Sequence, residues 1–213
     1  MEETIEVYIF YFDVVGVVEA YAKDPGVLNR LSAFQRDVRH KTLGLGAPWT
    51  YVVTLYDNIW ARINAQEMNA DDKVMELAAV AMRAARQHGF KDYFGVCTRG
   101  MHSFSLADKT LIGGGDPTDI TYQHIDSASE PQLRAGTAEK WSKKLAHASR
   151  LPVSDPCVWI GEEVADYETI ESYSVAGSSY RVVGPTFDLQ SALPGGTQWP
   201  FPGASRFTPI RSG

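Results

Sequence analysis

Two aspartates carry the clearest chemical possibility in this chain. Asp13 directly follows the apolar run Glu6-Val-Tyr-Ile-Phe-Tyr-Phe12, and Asp57 lies with Asn58 in the middle of a Val-, Thr- and Trp-rich stretch from Trp49 to Ile63. Aspartate ends strands and makes turns for purely structural reasons, so neither is informative alone. Together, in this order, they favour a metal reading. Paired carboxylates hold hard divalent cations through oxygen, and two ions about 3.5–4 Å apart clamp a phosphoryl centre during in-line displacement. Val14-Val15-Gly16-Val17 comes straight after Asp13, and a glycine turn there points backbone N–H groups at one place, where phosphate oxygens bind. No GxxxxGK[ST] and no GxGxxG occurs in the chain, so the turn carries the phosphate argument unaided.

The elements that must position these residues follow from periodicity. Residues 6–12 read as a strand buried on both faces. Asp24-Pro25 reads as a cap with proline in the first helical turn, and Val27, Leu31, Phe34 and Val38 give one apolar helix face to about His40. Trp49 to Ile63 reads as a hairpin turning at Asp57-Asn58. Asn69 to His88 is the strongest helix, with an alanine-rich stripe for close approach to a sheet and Gly89 to stop it. Residues 93–98 form the next strand, followed by a hairpin over His102–Leu106 and Thr110–Ile112. A helix opens at Asp116-Pro117, another runs from Pro131 to near Ala148, and Val158–Ile160 is a last short strand. Five of the 11 prolines fall in the final 29 residues, so residues 185–213 are expected to be an irregular tail beside a catalytic domain of 1–184. The order is β-α-β-β-α-β with additions. This predicts an α+β ferredoxin-like core, a mostly antiparallel sheet with helices on one face and a C-terminal extension. The first strand and the hairpin are neighbours in that core, which brings Asp13 and Asp57 to one edge of the sheet.

Composition narrows the class. At 213 residues the chain is long enough for one decorated domain with its own core. With 26 acidic and 20 basic residues its net charge is −6, which argues against nucleic acid as a partner. No apolar run approaches the ~20 residues of a membrane span. The acidic start and only two cysteines, Cys97 and Cys157, suggest a reducing cytoplasm. His40, His88, His102, His124 and His147 show no metal-ligand spacing. Lys140, Lys143 and Lys144, beside Trp141, read as a solvated helix face, Cys97 as a small buried hydrophobe, and Trp199-Pro-Phe-Pro as a segment that wraps on protein.

Phe12-Asp13-Val14-Val15-Gly16 resembles the F-x-D-[IV]-x-G segment of class III nucleotide cyclases. Val52-Val53-Thr54-Leu55-Tyr56-Asp57-Asn58 resembles their second metal segment, with Tyr56 where glycine usually precedes the aspartate. Phe94-Gly95-Val96 resembles the strand before their next active-site loop, and the correspondence covers roughly residues 5–130. The resemblance implies that Asp13, Asp57 and the Val14 carbonyl hold two Mg²⁺ or Mn²⁺ ions. It also implies that a nucleoside triphosphate cyclises through its 3′-hydroxyl with loss of pyrophosphate, and that the sites lie at a homodimer interface. The base-selecting Lys or Glu of purine cyclases is absent, since the same-face positions before Asp57 are Val53 and Tyr51. Asp119 and Gln123 stand where those enzymes carry a ribose-orienting asparagine and a phosphate-binding arginine. Arg99 is the candidate replacement cation. This pattern is similar to the pyrimidine nucleotide cyclases of bacterial anti-phage (Pycsar) systems, with Tyr51 as the base-pocket tyrosine. That likeness implies cyclic UMP or cyclic CMP as the product, a separate effector that senses it, and Val14, Val15, Gly16, Val17 and Asp119 among the substrate contacts. An adenylate or guanylate cyclase and an inactive nucleotide-binding domain are the competing expectations.

Overall fold

The structure is a computed structural model. It describes residues 3–44, 51–104, 129–151, 155–165, 172–175, 178–182, 186–202 and 205–212. In chain order the elements are β1 (Glu3–Val14), α1 (Val17–Lys23), α2 (Val27–Gly44), β2 (Tyr51–Leu55), β3 (Asn58–Asn64), α3 (Ala70–Gln87) and β4 (Tyr93–Phe104). They continue with α4 (Glu130–His147), β5 (Cys157–Gly161), β6 (Ser172–Val175), β7 (Ser178–Val182), β8 (Phe187–Asp188), α5 (Leu189–Ala192) and β9 (Arg206–Ser212).

The described strands form one sheet in the order β2-β3-β1-β4-β5-β9-β7-β6, with β8 pairing β9. Every pairing is antiparallel except β4 with β5. β1 lies between β3 and β4, which explains its near-continuous apolar sequence, because both of its faces are covered. Its even residues Tyr8, Phe10 and Phe12 pack with Phe34 of α2 and with Leu77, Ala78 and Ala81 of α3. Its odd residues Val7, Ile9 and Tyr11 pack with Ala135, Ala138 and Leu145 of α4 and with Trp199 and Phe207. The expected α+β fold is observed, and helices α1–α3 share one face as predicted. α4 is an addition on the opposite face.

Local sequence explains the helix that matters most for the site. Ser129 accepts a hydrogen bond from the Gln132 backbone N–H, while the Gln132 side chain accepts from the Ser129 N–H, which closes a capping box in front of Pro131. The Thr98 hydroxyl then donates to the Pro131 carbonyl at 2.7 Å and ties the helix start to β4. Gly95 lets β4 run close beside β5, since a Cβ there would meet Val158 Cγ2 at 2.8 Å.

Several expectations are corrected. A short helix, α1, occupies residues 17–23, and α2 begins at Val27, with the Asp24 carboxylate accepting from the Gly26 N–H just ahead of it, the bond expected of a cap at Asp24. His102–Phe104 continue β4, and the rest of the expected hairpin, with residues 105–128, lies outside the described residues. β5 is not the last strand, and the stretch expected to be irregular contains β8, α5 and β9. No helix among the described residues is long and apolar enough to cross a membrane.

Candidate active site

The odd residues of β1 end in Asp13, so its carboxylate faces α4. It is almost fully buried at 5% exposure. Lys143 of α4 reaches across and places its ammonium 2.5 Å from Asp13 Oδ2. The same ammonium pairs with Glu139 one helical turn earlier. Burial pushes the Asp13 carboxyl up to about 6. The bond from Lys143 opposes this, and the charges of Asp57 and Glu139 add to it. For Lys143 burial acts downward, but its bonds to Asp13 and Glu139 outweigh this and hold it above the ordinary lysine value. Burial also raises the Tyr11 hydroxyl well above its usual value, with the charges of Asp13, Glu139 and Asp57 adding to the effect. Asp13, Glu139 and Lys143 therefore meet, and the charge of Asp57 is felt at Asp13 and Tyr11.

The β2–β3 hairpin fixes Asp57. Leu55 pairs with Asn58, so the turn residues are Tyr56 and Asp57, one position earlier than expected. Tyr56 takes φ 52°, a left-handed conformation that favours glycine, and its ring is exposed. The Val14 N–H donates to the Asp57 carbonyl at 3.1 Å, which ties this turn to the end of β1. Asn58 sits directly opposite Asp13 in the ladder and so shares its face. Its Oδ1 is buried and has no hydrogen-bond donor among the described residues.

Asp13 and the Asp57 turn therefore lie at one edge of the sheet, tied through the backbone, whereas other expected residues lie elsewhere. The Val14 N–H is committed to Asp57, and the Val15 N–H donates to the Asp92 carbonyl at 3.0 Å. Neither amide is therefore available to cradle phosphate. Of the turn, Gly16 supplies the required conformation with φ 81° at the start of α1, and Val17 is buried beneath it. Arg99 lies inside β4 opposite Tyr8, about 17 Å along the strand from Asp13 at ~3.4 Å per residue. It bonds Glu6 at 2.9 Å and its guanidinium lies 5.3 Å from the Tyr8 ring centre. Register sends it to the α3 face, so it is not the replacement cation beside Asp13. Tyr51 pairs with Arg62 across β2–β3. Asp119, Gln123 and His124 lie outside the described residues.

Sequence reasoning missed Lys143, Glu139, Asn58 and Arg62. Lys143 is the cation actually present at Asp13, and the only signal for it was the Glu139–Lys143 spacing of four. Arg62 is 1% exposed, an unusual place for an arginine, directly across from Tyr51. Beside Lys143 a cavity of about 430 Å³ opens between α4 and the start of β4, lined by Val15, Tyr93, Phe94, His147 and Leu151.

The donor set fits a hard divalent cation. Asp13 and Asn58 offer oxygens on one face with Asp57 in the adjoining turn, and Lys143 shows that a positive charge is already accommodated at Asp13. Among the described residues no three His, Cys, Asp or Glu side chains form a complete ligand cage. That suits an ion such as Mg²⁺, which is held by one or two carboxylates and completed by water and substrate phosphate.

Solved structures similar to this chain include nucleotide cyclases. They include the adenylyl cyclase CyaB from P. aeruginosa, with TM-score 0.58 and 9% identity over 99% of this chain and 96% of that one. The catalytic core of a rhodopsin-guanylyl cyclase with converted specificity, in complex with ATPαS, gives TM-score 0.55 and 10% identity over 100% and 99%. The guanylyl cyclase Cya2 gives TM-score 0.55 and 11% identity over 98% and 92%. By sequence, no known family profile and no curated protein matches. The fold is therefore that of class III nucleotide cyclase domains, end to end.

Proposed function

We propose that this chain is a nucleotide cyclase that converts a pyrimidine nucleoside triphosphate, UTP or CTP, to its 3′,5′-cyclic monophosphate and pyrophosphate. The observation that carries this reading is the buried Asp13 carboxylate at the end of β1, tied through Val14 to the Asp57 turn in a class III cyclase fold. Asp13, Asp57 and the Val14 carbonyl would hold the divalent ions, Mn²⁺ or Mg²⁺. When bound, such ions would acidify the 3′-hydroxyl and neutralise charge on the triphosphate. The residues of this chain align O3′ with the α-phosphorus. The O3′–P bond forms as the bond from phosphorus to the bridging oxygen breaks, pyrophosphate leaves, and the 3′ proton passes to water.

Pyrimidine selection rests on what β2 presents. The positions on the Asp13 face, Tyr51 and Val53, carry no Lys or Glu to read a purine, and a phenol offers a small base one hydrogen bond. Asp119, outside the described residues, is assigned to the substrate by the sequence resemblance alone. The exposed apolar pair Val18 and Tyr21 on α1, next to the Asp13 turn, supports a homodimer with the site at its interface. The product acts as a cytoplasmic second messenger in anti-phage defence through a separate effector. Purine cyclase activity is the second reading, favoured by the solved adenylyl and guanylyl cyclases of the same fold.

Purified protein with Mn²⁺ and ATP, GTP, CTP or UTP separately, with products identified by mass, tests both. A single cyclic pyrimidine monophosphate supports the proposal, a cyclic purine replaces it with the second reading, and no product from any of the four refutes cyclase activity. Tyr51→Phe is expected to lower pyrimidine turnover about tenfold by removing one hydrogen bond to the base. Unchanged kcat/KM assigns Tyr51 to packing.

A further inference from the structure

Asp13 already has a cation. Its carboxylate is buried, and the charge it meets belongs to α4. Lys143 is 41% exposed, whereas the Asp13 side chain is 8% exposed. The lysine therefore has a route to water that the aspartate lacks. Glu139 holds the same ammonium from one turn back, so Lys143 is aimed by its own helix. On its other side Lys143 lines the cavity of about 430 Å³, which has ample room for a lysine side chain that has left Asp13. Two positive charges cannot share one buried carboxylate edge without strong repulsion. A lysine and a divalent ion at Asp13 therefore oppose each other.

We infer that Lys143 is a displaceable resident cation of the metal site, which occupies Asp13 when no metal is bound and swings toward the adjacent cavity when one enters. This rests on the assignment of Asp13 as a metal ligand and goes beyond it. Lys143 is a positioning residue: it keeps the buried carboxylate charged and oriented, and it sets a threshold that a divalent ion must overcome. An unexpected corollary is that the wild-type chain binds metal more weakly than its ligands alone permit.

The test is a titration of the full chain with Mn²⁺ alone, followed by electron paramagnetic resonance or calorimetry. Wild type is compared with Lys143→Met, Lys143→Gln, Asp13→Asn and the double variant Asp13→Asn/Lys143→Met. Lys143→Met keeps the apolar stem and is expected to bind Mn²⁺ about tenfold more tightly than wild type. Its metal-free melting temperature should fall and its response to Mn²⁺ should grow. The gain must vanish in the double variant, because it acts through Asp13. Circular dichroism checks that each variant folds, and Lys143→Gln serves if the methionine variant does not. If Asp13→Asn weakens wild-type binding but neither Lys143 variant tightens it, the displaceable lysine is refuted and the metal reading stands. If Mn²⁺ binding is the same in wild type and Asp13→Asn, or absent from both, the metal reading fails and the inference falls with it.

Discussion

The two faces of the sheet are built from different materials. On the α2–α3 side the core is apolar and aromatic, with Phe12 against Phe34 and Tyr93, and Phe34 against Phe90. The buried polar group of those helices, the Thr42 hydroxyl, is satisfied locally by the Val38 carbonyl. On the α4 side, Asp13, Arg62, Thr98, Ser129, Arg134 and Ser142 are all buried. Arg134 bonds Glu163 at 3.0 Å and Glu130 at 2.5 Å. A protein buries charge at considerable cost unless it is paired. The contrast teaches that one face is filled by apolar packing while the other maintains a set of constrained charges.

The sharpest way to break that contrast is to exchange the effects expected of each face. Asp13→Ala and Asp57→Ala should each lower cyclic nucleotide formation by about three orders of magnitude or more. Product mass spectrometry measures this, and near-wild-type rates in either variant defeat the assignment. Phe34→Ala, on the other face, should lose about 3–5 kcal/mol in chemical denaturation while leaving base preference unchanged.

A smaller effect should appear with pH. The folded Asp13 carboxyl stands at about 6, above its ordinary value, so its ionised form disfavours the folded state. Its stabilising contribution is complete below ~3.9 and is lost as pH rises through about 6, up to roughly 3 kcal/mol in metal-free protein. Denaturation in chelator at pH 4.5 and 7.5 should show this decline in wild type and a flatter profile in Asp13→Asn. Smallest of all, Arg99→Met should cost about 1 kcal/mol or less and leave turnover within twofold, because its partner Glu6 is a half-exposed strand residue. A hundredfold loss of activity would restore Arg99 to the site.

What could be read from sequence was governed by distance along the chain. β1, the hairpin and α3 were legible because their period lies within the element: the helix expected at Asn69–His88 is Ala70–Gln87. The start of α4 was legible from Pro131 alone, and its capping box is equally local. Asp13 and Asp57 were legible as a pair because the β-α-β-β order makes their strands neighbours. Lys143 was not, since the partner that turns a surface-type lysine into part of a site lies 130 positions away. Arg99 was misplaced because its face depends on the β1–β4 register, which no single strand encodes. β9 was missed because Pro209 argues against a strand. In the sheet Pro209 pairs with Trp159 of β5 on one side. On the other side β8 pairs residues 206–207 and β7 pairs residues 210–212, so among the described residues no ladder bond is demanded of it there.

The place of β9 also bears on how the molecule assembles in time. β1, β3 and β4 can pair through short and medium connections, so the half of the sheet that carries Asp13 can form early. β5 gains its second neighbour only when residues 206–212 arrive, long after Gly161 in the chain. Such distant pairing slows folding, and until it happens the edge of β5 is an open template for other chains. Shortening the chain before Arg206 is therefore a route to aggregation that leaves every residue of the proposed site intact.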